Sequence, residues 1–528
     1  MTRAGVRGWA LAALAAACAE APATDSAAEV AAPDCPAPSF VSAGMWLNEE
    51  LPTAIVPVGR DPGVGVGDLD GDGDDDVLYG WAGNTQLFLG DGAGGLTLGP
   101  PLEIDGAPAD FSRAVALSDF DDDGDLDVVL GHDSAASDQL LLNDGSGFRY
   151  DAFPLPDSTE TTWTASLADF DGDGRTDVYT ATYSVPFDVD LITGGEVVGS
   201  GHAFWFQRDA GAWERQPVPA EVDPAVSLQG SVIDADGDGR LDLYMVNDFG
   251  PYVLPNRLLH NDGGGRFSVA GDCACDLSIY SMGGGVGDAD GDGWPDLVVT
   301  DIGSPHLLLN DGTGAFYDAG QRLLPATRSA QRMTSWGTAF ADLDLDGDDD
   351  VVLAYGSLGP NGSPSIGTIA NTDPSWSEED DQYSTILVNG GEAGFSLLPE
   401  AAFDELSRSR VVAVANLDGD ARPDLVVAGR KRIQAWRNTG GCEEGVALRL
   451  RGPPDSAGAF GARVEAEVAG RASTRWYLPS TTGSQSTDTV FVGLGGAASA
   501  DRIVVTWPDG EVTTVEDVPA GPLLLVEG

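Results

Sequence analysis

Basic residues are what this chain has least of. Its 528 residues include one lysine, Lys431, and only 27 lysines and arginines together, against 85 aspartates and glutamates, for a formal net charge of −58. Nucleic-acid binding needs a basic surface to neutralise phosphates, so that class of partner is excluded. Docking on anionic lipid is excluded for the same reason. Histidine is almost as scarce, with four: His132, His202, His260 and His306. They are scattered, and no Gly-x-Ser-x-Gly elbow occurs, so a hydrolytic centre has little to be built from. His132 and His306 read as polar residues at strand ends. Beyond the N-terminus no apolar run is long enough for a membrane helix. The acidity does not make the chain disordered, because 42% of its residues are apolar and 12 are tryptophan.

The first residues read as an export signal. Arg3 and Arg7 form a basic start, and "GWALAALAAA" is too short to span a bilayer permanently. Cys18 follows a small-residue run, as at a bacterial lipoprotein cleavage site, although Leu14 stands one place further back than that pattern wants. Ordinary cleavage near "ACAEAPA" is the alternative. Residues 1–18 are thus the signal, and 19–36, rich in alanine, proline and acid, a tether. The expected location is the outer membrane as a lipoprotein, the cell surface or the extracellular space. Any membrane contact is expected through the lipid anchor alone. Setting Cys18 aside leaves Cys35, Cys273, Cys275 and Cys442, an even number in an oxidising compartment.

Aspartate and glycine are what the chain has in excess. "GDADGDGWPD", residues 287–296, puts four carboxylates within nine positions, which resist ionising together unless a cation sits among them. Seven such segments recur at intervals of 50 to 74 residues. Six follow Asp-x-Asp-x-Asp-Gly-x-x-Asp. Positions 1, 3, 5 and 9 offer side-chain oxygens, position 7 a backbone carbonyl, and glycine at position 6 allows the sharp turn. The metal ligands assigned in this way are Asp68, Asp70, Asp72, Asp74 and Asp76; Asp119, Asp121, Asp123, Asp125 and Asp127; Asp169, Asp171, Asp173, Arg175 and Asp177. They continue with Asp234, Asp236, Asp238, Arg240 and Asp242; Asp288, Asp290, Asp292, Trp294 and Asp296; Asp342, Asp344, Asp346, Asp348 and Asp350. Arg175, Arg240 and Trp294 stand at position 7, where only the backbone is used. The seventh copy, Asn416, Asp418, Asp420 and Asp424, has Ala421 at position 6, and its occupancy stays open. All-oxygen ligation favours calcium over zinc or copper. An EF-hand is excluded, because position 12 lacks glutamate (Tyr79 in the first copy) and the flanks are not helical.

Those flanks are strands. Small-residue segments such as "GVGVG" and "AVALS" precede the loops, and β-branched runs such as "VVLG" and "LVVT" follow them. Then come a third strand, an Asn-Asp-Gly turn and a fourth strand opened by an aromatic residue: Phe148, Trp213, Phe267, Phe316 or Phe395. Four antiparallel strands per repeat make a propeller blade. The predicted fold is all-β: a seven-bladed β-propeller over residues 37–442, then a small β-sandwich over 443–528. Blade 7 lacks a fourth strand of its own, and "FVSAGMW" from Phe40 is expected to supply it. That would bring Cys35 beside Cys442 for a disulfide and leave Cys273 to pair with Cys275.

The loops resemble the FG-GAP or VCBS repeats of integrin α-subunit propellers and bacterial secreted proteins. "AFGARVEAEV", "TTGSQS", "FVGLG" and "RIVVTWPDGEVTTVEDV" resemble the ASPIC/UnbV domain, with "FVGLG" standing where Phe-Gly-Leu-Gly is usual. Together they give the arrangement of the cartilage acidic protein family and its bacterial relatives, covering residues 37–528. The resemblance implies calcium binding and extracellular interaction, and it brings no established catalytic centre to carry over.

The expected function is therefore a calcium-stabilised, non-enzymatic binding or adhesion protein. The alternatives are a carbohydrate-binding module and a polysaccharide lyase or hydrolase. Three insertions follow second strands, at 183–202, 247–256 and 356–383, so they belong to the face opposite the calcium loops. Their aromatics Phe187, Phe249, Tyr252 and Trp376 are the anchors expected to meet a protein or glycan ligand there.

Overall fold

The computed structural model describes residues 35–47, 61–81, 84–104, 107–108, 112–132, 138–151, 161–183, 202–208, 211–323, 333–356, 382–398, 409–429, 432–452 and 458–526. The leader with Cys18, Phe187 and Trp376 lie outside the described residues. Among the described residues no helix is long and apolar enough to cross a membrane.

Seven antiparallel sheets follow one another along the chain. Blade 1 runs Gly63–Gly67, Asp76–Trp81, Asn84–Gly90 and Leu96–Pro101; blade 4 runs Ser227–Ile233, Asp242–Asn247, Arg257–Asn261 and Phe267–Val269. The others repeat this order. Blade 7 takes its fourth strand from the N-terminus: Phe40–Leu47 pairs antiparallel with Arg432–Asn438, from Phe40 opposite Asn438 to Leu47 opposite Arg432. Cys35 and Cys442 are bonded beside that pairing, with Cα atoms 5.0 Å apart across 407 residues of sequence. Cys273 and Cys275 also form a disulfide. The first strand of each blade packs against the first strand of the next, and that of blade 7 packs against that of blade 1.

Crowding between these inner strands explains their small residues. A Cβ on Gly287 would lie 2.4 Å from the Phe340 ring, and one on Gly63 only 2.5 Å from the Arg113 carbonyl oxygen. The hydrophobic clusters lie between neighbouring blades, as with Tyr179, Phe204 and Leu243 of blades 3 and 4.

The C-terminal segment forms two sheets. One holds Gly445–Arg451, Thr489–Gly493 and Gly521–Val526; the other holds Arg463–Val468, Arg471–Trp476, Ser499–Thr506 and Val512–Pro519. Val446, Leu448, Val464 and Ile503 share one buried cluster with Phe120, Leu140 and Trp205 of the propeller. These two sheets pack on the propeller within one compact unit of residues 32–528.

A hairpin from this segment, Ser480–Thr481 with Ser484–Gln485, enters the propeller axis and pairs parallel with Gly63–Gly67. Gln485 bonds both the N–H and the carbonyl of Leu117 in blade 2, at 2.8 Å each. Gly483 N–H donates to Thr164 Oγ1 of blade 3 at 2.9 Å, and Thr482 Oγ1 donates to Gln229 Oε1 of blade 4 at 2.7 Å. Thr481 Oγ1 donates to the Val412 carbonyl of blade 7 at 3.1 Å. Inner strands otherwise present unpaired edges to the axis, and the hairpin supplies partners for them.

Candidate metal centres

Each acidic loop joins the first and second strands of its blade, and position 9 opens the second strand. One carboxylate oxygen of that residue accepts the N–H of position 2, at 2.7–3.1 Å in all seven blades. The other accepts an N–H at the end of the third strand, at 2.7–2.9 Å, from the last residue in six blades and from Gln207, the last but one, in blade 3. Position 1 turns inward and accepts N–H groups of the loop: Asp288 takes those of Gly291, Asp292 and Gly293. Position 5 accepts the N–H of position 7, as Asp292 does from Trp294 at 2.9 Å. These bonds aim carboxylates at one point. In blades 1, 2 and 3, oxygens of positions 1, 3 and 9 lie within 4.8 Å of one another: Asp68, Asp70 and Asp76; Asp119, Asp121 and Asp127; Asp169, Asp171 and Asp177.

The electrostatics show the strain of gathering these groups. Burial first, and neighbouring aspartates second, lift Asp177 to about 9 and keep Asp350 well above the carboxylate range. Burial lifts Asp127 and Asp296 to about 8 and Asp76 to about 7, against backbone bonds that pull the other way. Oδ1 of Asp290 and Oδ1 of Asp342 are buried without a hydrogen-bond partner. Leaving such oxygens bare is costly, and a hard cation is the partner they fit.

Arginines partly answer the charge. Arg208 binds Asp171 at 2.5 Å and Asp173 at 3.2 Å, and Arg149 reaches Asp121 at 3.1 Å. In blade 7, Arg422 lies 2.6 Å from Asp420 and Arg437 lies 3.6 Å from Asp418. Asn416 Oδ1, at position 1 of that copy, is buried without a partner.

Several contributors were not read from the sequence. Three arginines of the C-terminal segment reach the loops. Arg449 binds Asp75 at 3.1 Å, Arg471 binds Asp348 at 3.0 Å, and Arg475 lies 3.4 Å from Asp342 and 2.9 Å from Asp349. Asp75 and Asp349, both buried at position 8, also accept the N–H of position 1 in the adjacent blade, Asn416 at 2.7 Å and Asp288 at 3.1 Å. The asparagine closing most third strands ties loops together as well. Asn310 Nδ2 donates to the Ala235 carbonyl of blade 4 at 2.9 Å, and Asn438 Nδ2 to Leu343 of blade 6 at 2.7 Å. Runs of three aspartates at 74–76 and 348–350 were the visible signal for position 8. The arginines, a hundred or more residues away, left none.

The 1–2 loops and the 3–4 turns share a face, as expected: a Cβ on Gly312 would meet the Trp294 ring at 2.3 Å. The C-terminal segment sits on that face. Between it and the loops of blades 3, 4 and 5 lies a cavity of about 340 Å³ lined by Trp294, Trp476, Trp507, Arg240 and Arg463. Of the aromatics assigned to the other face, Tyr252 is exposed, at 44%. Phe249 is not an exposed anchor. It is 7% exposed and packs edge-on against Tyr280, because a positive φ of 55° folds it back under the loop. His132 closes its strand but is buried rather than a loop residue, and His306 opens its strand and pairs with Asp318 at 3.1 Å.

The chain matches the FG-GAP-like repeat family over residues 68–130, 119–180, 234–299 and 288–353, and the ASPIC and UnbV family over 452–527. It is 25% identical to cartilage acidic protein 1 of Xenopus tropicalis over 282 residues, covering 49% of this chain and 42% of that protein. The human protein of that name is 25% identical over 285 residues, 49% of this chain and 41% of its own length. The matched segment thus spans less than half of these relatives. Among solved structures, an Agrocybe aegerita lectin described as recognising non-reducing terminal N-acetylglucosamine aligns at 18% identity and a TM-score of 0.39, over 72% of this chain and 88% of that one.

Proposed function

We propose that this chain, which carries FG-GAP-like repeats followed by an ASPIC and UnbV domain, is an exported, calcium-stabilised binding or adhesion protein of the cell surface or extracellular space. One observation carries the calcium assignment. Carboxylates of positions 1, 3 and 9 converge in successive blades, and buried oxygens such as Asp342 Oδ1 are left without a donor. Calcium would be held by those carboxylates with the carbonyl of position 7, as a brace that neutralises repulsion. The proposed role is non-catalytic. An activity screen on acidic polysaccharides tests that directly, and turnover would overturn it.

The partner, a protein or a glycan, is proposed to dock opposite the calcium loops. Support comes from crowding of the calcium face by the C-terminal segment and from the exposure of Tyr252 on the other side. A hydrogen-exchange footprint of the protein on its native cell surface tests this. Protection is expected around Tyr252, and Tyr252→Ala should weaken attachment without moving the melting temperature. Loss of attachment on changing Ser146 or Thr313, exposed turns of the calcium face, with Tyr252→Ala silent, would reverse the faces.

A carbohydrate-binding reading has one observation of its own, the cavity lined by Trp294, Trp476 and Trp507. Its size and mixture of aromatic and polar groups suit a short saccharide. A glycan array with and without calcium separates the two readings.

A further inference from the structure

The acidic loop of blade 4 differs from its siblings in its donors. In blades 1, 2 and 3 the converging set is positions 1, 3 and 9; in blade 4 a set forms from Asp236, Asp242 and His260. His260 Nδ1 lies 3.2 Å from Asp242 Oδ1 and 3.5 Å from Asp236 Oδ2. It is the fourth residue of the third strand, Arg257–Asn261, and its ring is partly exposed, so a metal ion can reach it from solvent. The same place in blades 2 and 5 is held by Leu142 and Leu309, which offer no ligand atom. Arg240 pairs with Asp238, at position 5, as Arg208 and Arg422 pair with that position in blades 3 and 7.

We propose that blade 4 holds a first-row transition-metal ion, zinc being the test case, with His260 Nδ1, Asp236 and Asp242 as ligands. The chemistry follows from the donors. Calcium prefers six to eight hard oxygens, whereas an imidazole nitrogen with two carboxylates suits zinc, nickel or cobalt. The nitrogen donor of His260 moves the site in that direction. In one tautomer Nδ1 carries its proton towards the two carboxylates. In the other tautomer it presents a lone pair to the same point. The proposal refines the calcium assignment at one loop and rests on that reading for the others.

The test uses the full chain, loaded in excess calcium and dialysed against increasing zinc chloride, with calcium and zinc counted by elemental analysis. One zinc per chain is expected to remain despite the calcium. His260→Leu, the residue blades 2 and 5 use, should lower zinc affinity at least about 10- to 100-fold, a loss that even outer-sphere changes at metal sites produce. Its calcium content outside blade 4 and its melting temperature in calcium should stay near wild type. His260→Gln, which stays polar but has no imidazole, should lose zinc equally. Zinc uptake unchanged in both variants, or abolished instead by His306→Ala, would overturn the proposal. So would a wild-type chain that takes up no zinc. Absence of calcium from every variant would mark failure of the calcium reading, while the zinc count would still report on His260.

Discussion

At position 9 of every loop, an aspartate is buried and accepts two backbone N–H groups, and burial raises its pKa. The ordinary carboxylate value is 3.8, and Asp76, Asp127 and Asp177 are lifted to about 7, 8 and 9. Without metal, the native state therefore holds more protons than the unfolded chain over that window. Stability then falls as pH rises from about 4 towards about 8. Melting temperatures in EDTA should decline between pH 5 and pH 8, and calcium should flatten or reverse the decline by taking the place of the protons. A metal-free melting temperature that rises across that interval would contradict this. Arg475 carries a second residue-scale prediction. It is the buried cation beside Asp342 and Asp349, so Arg475→Met strands two buried carboxylates. A loss of about 3–5 kcal/mol is expected in EDTA, read from denaturant unfolding, and a smaller one in calcium.

The blades were legible as elements because three signals recur in phase: small residues, the acidic loop, then a β-branched run. The N-terminal strand was legible too, since Phe40 repeats the aromatic that opens the fourth strands. The axial hairpin was not. "TTGSQS" is polar and short, and polar residues ordinarily mark a surface turn; here they are buried because they bond the bare edges of inner strands. The turn around Phe249 misled in the opposite direction, since an aromatic residue in an insertion reads as exposed until the backbone folds it under Tyr280. The hairpin carries the prediction at this scale. Gln485→Ala removes both bonds to Leu117 and leaves a buried N–H and carbonyl unpaired, for a cost of about 2–4 kcal/mol by chemical denaturation. An unchanged midpoint would mean that water or a neighbour replaces it freely.

The propeller ring is held by ends that meet. The Cys35–Cys442 bond fastens the N-terminal strand to blade 7, and a Cys35→Ser, Cys442→Ser protein should lose about 2–5 kcal/mol. Peptide mapping of the native protein should recover that pair. The loops are tied from blade to blade by asparagines and position-8 aspartates, and to the C-terminal segment by Arg449, Arg471 and Arg475. A cation in one loop is therefore expected to stiffen its neighbours. Each filled site adds about 2.7 kcal/mol at a calcium concentration 100 times its Kd. The most direct measurement is the melting temperature of the full chain in calcium and in EDTA, paired with the calcium content of the dialysed protein. Several bound calcium ions per chain are expected, with a large fall in melting temperature on chelation that adding calcium back restores. A chain that holds no calcium and melts identically in both buffers would contradict this.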